Sequence, residues 1–131
     1  MLEDLRALGL KPEGPFQSGN SQWVILPDYE IPAGRFVGTK IRLAVPVPAD
    51  YPATPPGGLH VSPDIVPAQD MGARNIHDRQ SETEKLPGKW QYWSRPYPKT
   101  RGNEGETKWR ADAQSTRRLQ SHWNAVLSHV A

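Results

Sequence analysis

With no cysteine in its 131 residues, this chain offers histidines, one serine and a knot of aromatic side chains as its candidates for chemistry. The missing thiol excludes a disulfide framework, a cysteine zinc site, an iron–sulfur cluster and a thiolate nucleophile in this sequence. None of His60, His77, His122 and His129 has a convincing metal-ligand spacing to another. His122 and His129 share a helical face but stand about two turns apart, too far for one ion. His60, between Leu59 and Val61, is expected to point away from their face towards solvent. His77, beside Asp78 and Arg79 in an irregular stretch, is the most interesting of the four. Ser94 as a nucleophile would need a base within reach and donors for an oxyanion. His77 and Asp78 are conceivable partners, yet no Gly-x-Ser-x-Gly elbow surrounds Ser94, and phosphate-cradling glycine loops are missing. Neither a metal nor a cofactor is expected.

Trp90, Tyr92 and Trp93, followed by Arg95 and Tyr97, are the second constellation. Aromatic rings with a basic rim can stack nucleic-acid bases. They can equally cover one face of a sheet as a satellite core under a long loop, the reading favoured here. Where partly exposed, they make a protein anchor, since Trp, Tyr and Arg dominate interface energetics. Charge adds little to the nucleic-acid reading. Residues 1–65 hold 5 Lys/Arg against 7 Asp/Glu and residues 66–131 hold 11 against 7, so the halves are −2 and +4. A surplus that small is ordinary for a solvated face and suits an acidic protein partner as well.

The elements that must position these residues follow from periodicity. The length suits one domain, 1–131. Leu2, Leu5 and Leu8 form one stripe of a short helix, which Gly9, Lys11, Pro12 and Gly14 end. Gln22 to Leu26 is an apolar run of strand formers, closed by a turn signal at Pro27-Asp28. Within Phe36 to Val47, Ile41, Leu43, Val45 and Val47 alternate with Lys40, Arg42 and Ala44, the period of a half-buried strand. Leu59 to Ser62 suggests another, and successive strands with short connections make an antiparallel meander. From Asp64 to about Lys108 periodicity disappears, which predicts a long irregular crossover with an exposed tip at Gly102 to Glu106. Leu119, Trp123, Val126, Leu127 and Val130 mark an amphipathic helix, capped by Asp112 or Ser115, with Arg117, Arg118, Gln120 and Asn124 turned outward. The plan is α+β, with helices packed on one sheet. No apolar stretch approaches a membrane span, and Glu3, Asp4 and Arg6 make the start unlike a signal peptide, so a cytoplasmic location without membrane contact is expected.

On this plan, Pro48-Ala49-Asp50-Tyr51-Pro52-Ala53-Thr54-Pro55-Pro56 resembles the Tyr-Pro-x-x-Pro-Pro segment after the third strand of the ubiquitin-conjugating enzyme superfamily. Trp109-Arg110-Ala111-Asp112 is similar to the tryptophan segment that precedes the helix after that family's active site. Leu26 to Phe36, together with Trp93-Ser94-Arg95, looks more like divergent bacterial members found beside ubiquitin-like proteins. The resemblance implies a UBC-like fold: a short N-terminal helix, a four-stranded antiparallel meander with its fourth strand at Leu59 to Ser62, a long irregular crossover and a C-terminal helix. Its motif residues here are Tyr51, Pro52, Pro55, Pro56 and Trp109.

The departures carry the functional expectation. The family's reaction is transthiolation, in which a cysteine takes up the carboxyl terminus of ubiquitin as a thioester and an Asn stabilises the oxyanion. Here the cysteine is absent and so is the His-Pro-Asn triplet; Asn75-Ile76-His77 has another order and another middle residue. Either the chain is a naturally inactive member that keeps the fold as a binding platform, or a cysteine of a working enzyme has been replaced, with Ser94 or Ala73 in its place. The first is favoured, because Trp90 to Trp93 fills the stretch where the nucleophile would stand. Within this reading His77, Ser94 and Arg95 mark the active-site region without an assigned catalytic role. Trp90, Tyr92, Trp93 and Tyr97 are the partner-binding candidates, and the implied partners are a ubiquitin-like protein and its activating enzyme.

Overall fold

The computed structural model describes residues 1–62, 65, 76–77, 86, 88–93 and 109–128, and of His77 the backbone alone. Helix α1 (Leu2–Ala7) leads into strands β1 (Glu13–Ser18), β2 (Ser21–Glu30), β3 (Lys40–Val47) and β4 (Leu59–Ser62). Strands β5 (Ile76–His77) and β6 (Gln91–Trp93) follow, and helix α2 (Ser115–Ser128) closes the described chain. The strands form one sheet in the order β1-β2-β3-β4-β6-β5, with each described pairing antiparallel. The α+β plan therefore stands: β1 to β4 form the four-stranded meander implied by the resemblance, ending at Leu59–Ser62, and β6 and β5 extend the sheet beyond it out of sequence order.

Three departures from the sequence reading have physical causes. Strand β1 has no alternating pattern, since all its residues but Ser18 are exposed, so periodicity could not reveal it. Pairing with β2 creates it, and the register slips between Glu13 and Phe16, where Gly14-Pro15 sits. A Cβ on Gly14, whose φ is +127°, would lie 2.8 Å from the Trp23 carbonyl oxygen, so the bulge admits only glycine there without rearrangement. Pro27-Asp28 does not end β2; the strand runs on to Glu30 through a register shift between Leu26 and Tyr29, a place where a residue without an N–H is tolerated. The crossover, in turn, is not wholly irregular, because the aromatic knot supplies β6, which pairs with β4 and lends its far edge to β5.

Both faces of the sheet are covered. Val24, Leu26, Leu43, Val45, Leu59, Val61 and Trp93 face Leu5 of α1 and Leu119, Trp123, Val126 and Leu127 of α2 in the main core. On the opposite face Trp23, Ile25 and Ala44 meet Leu86 and Trp90 in a second cluster. This explains why Trp23 to Leu26 reads as an unbroken apolar run: each side chain is buried, whichever face it takes.

The β2–β3 turn is pinned to the far end of α2. Mutual backbone hydrogen bonds of Ile31 with Gly38 and Thr39 close it, and a Cβ on Gly34 (φ +85°) would stand 2.0 Å from the Ser128 carbonyl oxygen. Gly34→Ala is expected to destabilise the protein by about 1–3 kcal/mol, through left-handed backbone strain and displacement of α2. Urea denaturation followed by circular dichroism reads this directly, and an unchanged midpoint would contradict the close approach.

Candidate active-site region

The proline-rich segment after β3 folds back as a turn. Tyr51 N–H donates to the Pro48 carbonyl (3.1 Å), Ala53 N–H to that of Asp50 (2.8 Å), and the Thr54 hydroxyl to the Asp50 carboxylate (2.7 Å). Pro55 and Pro56 are buried and Pro52 is exposed. The Trp109 indole N–H donates to the Pro52 carbonyl oxygen at 2.9 Å, and its ring lies 6.1 Å from that of Tyr51 at 47°. All five motif residues thus lie in one structural unit, with Trp109 brought across 57 residues of chain to Pro52.

A hydroxyl relay ties this unit to both helices, and the unit and relay together, Tyr51, Pro52, Trp109, Thr116 and Asp4, form a latch. Thr116 Oγ1, in the first turn of α2, donates to the Asp4 carboxylate at 3.0 Å and stands 2.7 Å from Tyr51 Oη. Thr116 has one proton, which it gives to Asp4, so Tyr51 must be the donor in the second bond. Burial raises the Tyr51 phenol above its ordinary pKa. Nothing in the sequence marked Thr116 or Asp4, since their meeting depends on how α1 and α2 pack.

The start of α2 is capped by both of the residues expected to compete for that role. Asp112 Oδ1 accepts from the Gln114 N–H and from Arg118 Nη2, each at 2.8 Å. Ser115 Oγ accepts from the Asp112 N–H and donates to the Arg110 carbonyl oxygen, again at 2.8 Å. Arg118, expected to face outward, instead folds back on Asp112 and Arg110. Asn124, likewise placed outside by periodicity, accepts the Tyr29 hydroxyl.

Hydrogen bonding from Arg118 first, then from the Gln114 N–H, holds the Asp112 carboxyl below its ordinary pKa. A lowered folded pKa gives stability that is complete above the unfolded value, roughly pH 4, and is lost as pH falls through the folded one. Asp112→Asn keeps an oxygen for the Gln114 N–H while removing the charge. It is expected to flatten the acid limb of the stability profile by lowering stability at neutral pH, by as much as the charged carboxylate contributes there. A variant profile that parallels the wild type below pH ~4 would remove Asp112 as the titrating cap.

Beside the latch, β4 and β6 build an aromatic layer on the second face of the sheet. His60 is 1% exposed, which overturns its expected solvent-facing position. The face opposite Leu59 and Val61 is itself a packed layer: Trp23 meets the imidazole edge-on at 4.8 Å, and Tyr92 lies over it at 4.7 Å. Trp90 lies under the Arg42 guanidinium, 4.9 Å from ring centroid to carbon, and Arg42 also reaches Ser62 Oγ at 3.3 Å.

The partner-binding candidates therefore separate. Trp90 and Trp93 are 0% and 1% exposed, in the second cluster and the main core respectively, so neither presents its ring to another protein. Of the candidates among the described residues, Tyr92 alone keeps partial exposure. The backbone of His77 pairs with that of Tyr92, which sets it on the outer strand one residue pair from the end of β6. Ser94, Arg95 and Tyr97 lie outside the described residues, as do the Gly102 to Glu106 tip, Val130 and His129. His122 is half-buried on α2.

Among the described residues, the hydroxyls of the latch are committed to structural hydrogen bonds, and no three or more His, Asp or Glu side chains gather as a metal site. No described helix is long and apolar enough to cross a membrane. What the arrangement does is hold a frame: the latch fixes the Pro48 to Pro56 turn against α2.

A short first helix, an antiparallel meander, a Tyr-Pro-x-x-Pro-Pro turn held by a tryptophan and a closing helix define a domain of the ubiquitin-conjugating, or E2-like, class. Within that class the chain belongs to prokaryotic E2 family E, whose model matches residues 3–126. No curated protein and no solved structure matches it.

Proposed function

We propose that this chain is a cysteine-free E2-like protein that serves a prokaryotic ubiquitin-like modification system as a binding or scaffold component. One observation carries the reading: the motif residues of this class are held together in one unit by the Tyr51–Thr116–Asp4 relay and the Trp109–Pro52 bond, while the chain contains no cysteine. A frame without its nucleophile retains shape and surface, which suffice for recognition. The partner is a ubiquitin-like protein or the enzyme that activates it.

The test is incubation with a candidate activating enzyme and a candidate ubiquitin-like protein from the same source, with ATP, followed by non-reducing electrophoresis and size-exclusion chromatography. Co-elution without a covalent adduct is the expected result. No association with either partner would overturn the proposal. A reducible adduct formed by the protein as its gene encodes it would mean instead that a cysteine has been replaced in the present chain and that the natural protein is a conjugating enzyme.

A further inference from the structure

On the α1 side of the latch, a cleft of about 440 Å³ opens between the first turn of α1 and the β1–β2 hairpin, bounded by Leu2, Glu3, Asp4, Pro15, Val24 and Val47 among others. A second hollow of about 350 Å³ continues from it past Gln17 and Asn20 to Pro48 and Ala49. Gln22 and Val47 line both, so the two form one groove. We propose that this groove docks an extended peptide segment carrying a lysine or arginine.

Its chemistry changes along its length. At the α1 end the side-chain charges are both negative: Glu3 and Asp4 are exposed, and neither is ion-paired among the described residues. Met1 lines the same rim, and even a full positive charge there offsets no more than one of these two carboxylates. Asp4 spends Oδ2 on Thr116, and its second oxygen is left for a ligand. The middle is apolar, with Leu2, Pro15, Val24 and Val47. Gln17, Asn20 and Gln22 stand at the far end; Gln17 uses its amide N–H on the Gly19 carbonyl at 3.1 Å, and its oxygen remains an acceptor.

A basic side chain matches this sequence of surfaces. Its methylenes lie along the apolar wall while its cation reaches the carboxylates. The carboxamides supply both donors and acceptors to the peptide groups of an extended segment. Strand addition to the outer edge of β1, unpaired among the described residues, is the competing way to hold a peptide, and it is blocked locally. Pro15 has no N–H, and the register slips around it. The groove shares Asp4 with the latch, but neither the absent cysteine nor the crossover enters the inference, so it does not depend on the proposed scaffold role.

The test is titration of the intact, uniformly ¹⁵N-labelled protein with acetyl-Gly-Leu-Lys-Leu-Gly-amide, and in parallel with the same peptide carrying Glu for Lys. Saturable amide shifts are expected for Leu2 to Asp4, Gln17 to Val24, and Val47 and Ala49, with the Glu peptide at least about tenfold weaker. Glu3→Gln, an exposed change, is expected to weaken the Lys peptide about two- to fivefold. Gln22→Arg places a cation at the exposed junction of the two hollows and is expected to abolish saturation without changing the melting temperature. The proposal is overturned by the absence of saturable shifts up to about 5 mM peptide. Equal binding of the Glu peptide, shifts confined to another surface, or wild-type affinity in Gln22→Arg would each overturn it as well.

Discussion

Trp109→Ala is expected to lower the stability of the folded chain by about 3–5 kcal/mol, the range for deleting a large buried aromatic side chain. The ring is 7% exposed, packs in the main core and donates to the Pro52 carbonyl, so its removal opens a cavity and orphans an acceptor together. Trp109→Phe separates the two effects. It retains most of the apolar volume and loses the indole donor, for an expected cost of about 1–2 kcal/mol. Urea denaturation gives both values. Amide hydrogen exchange locates the effect, with faster exchange expected at Tyr51 and Ala53, whose N–H groups close the Pro48 to Pro56 turn. If the alanine variant lost less than about 1 kcal/mol, Trp109 would be a passenger of the turn rather than what holds it.

Trp90→Ala carries a loss of similar size, about 3–5 kcal/mol, because the indole is fully buried between Ile25, Ala44 and Leu86. The change also strips the Arg42 guanidinium of the ring beneath it, a contact worth about 0.5–1 kcal/mol at a partly exposed site. Its value lies in what it decides about the aromatic knot. If Trp90 is core, partner binding by Trp90→Ala falls only as far as the folded fraction falls, and Trp90→Phe recovers both together. Tyr92→Ala, at the partly exposed ring, is expected to cost less stability and to be the change that weakens a partner at constant folded fraction. A Trp90→Ala protein with wild-type melting and no partner binding would return Trp90 to the surface.

Much of the frame was legible because it is made by local physics. The i, i+4, i+7, i+8 spacing of Leu119, Trp123, Val126 and Leu127 puts four apolar side chains on one helical face whatever surrounds them, and all four are buried. The alternation of Ile41, Leu43 and Val45 likewise forces one face of β3 inward. The Tyr51 to Pro56 motif and Trp109 could be marked as belonging together through resemblance, and the indole–carbonyl bond is the physical content of that association.

What stayed hidden is what depends on a second surface. A strand's period separates two faces and leaves open whether the second is wet. His60 and Ala44 read as the outer side of β4 and β3, and both are buried because Trp23, Leu86, Trp90 and Tyr92 form another layer over them. Strand β1 owes its existence to the hydrogen bonds of β2 and shows no pattern of its own. The same holds for Asn124 and Arg118, polar residues that periodicity turned outward and that Tyr29 and Asp112 claim as hydrogen-bond partners.

Composition and short-range spacing were therefore enough to establish the α+β class, the closing helix, the central strands and the lack of a thiol, since each follows from residues a few positions apart. Placing Trp90 and Trp93 inside, and joining Tyr51, Thr116 and Asp4 in one relay, required the folded chain. Those contacts link residues up to 112 positions apart, and their energy exists only once two helices and both faces of the sheet have closed around them.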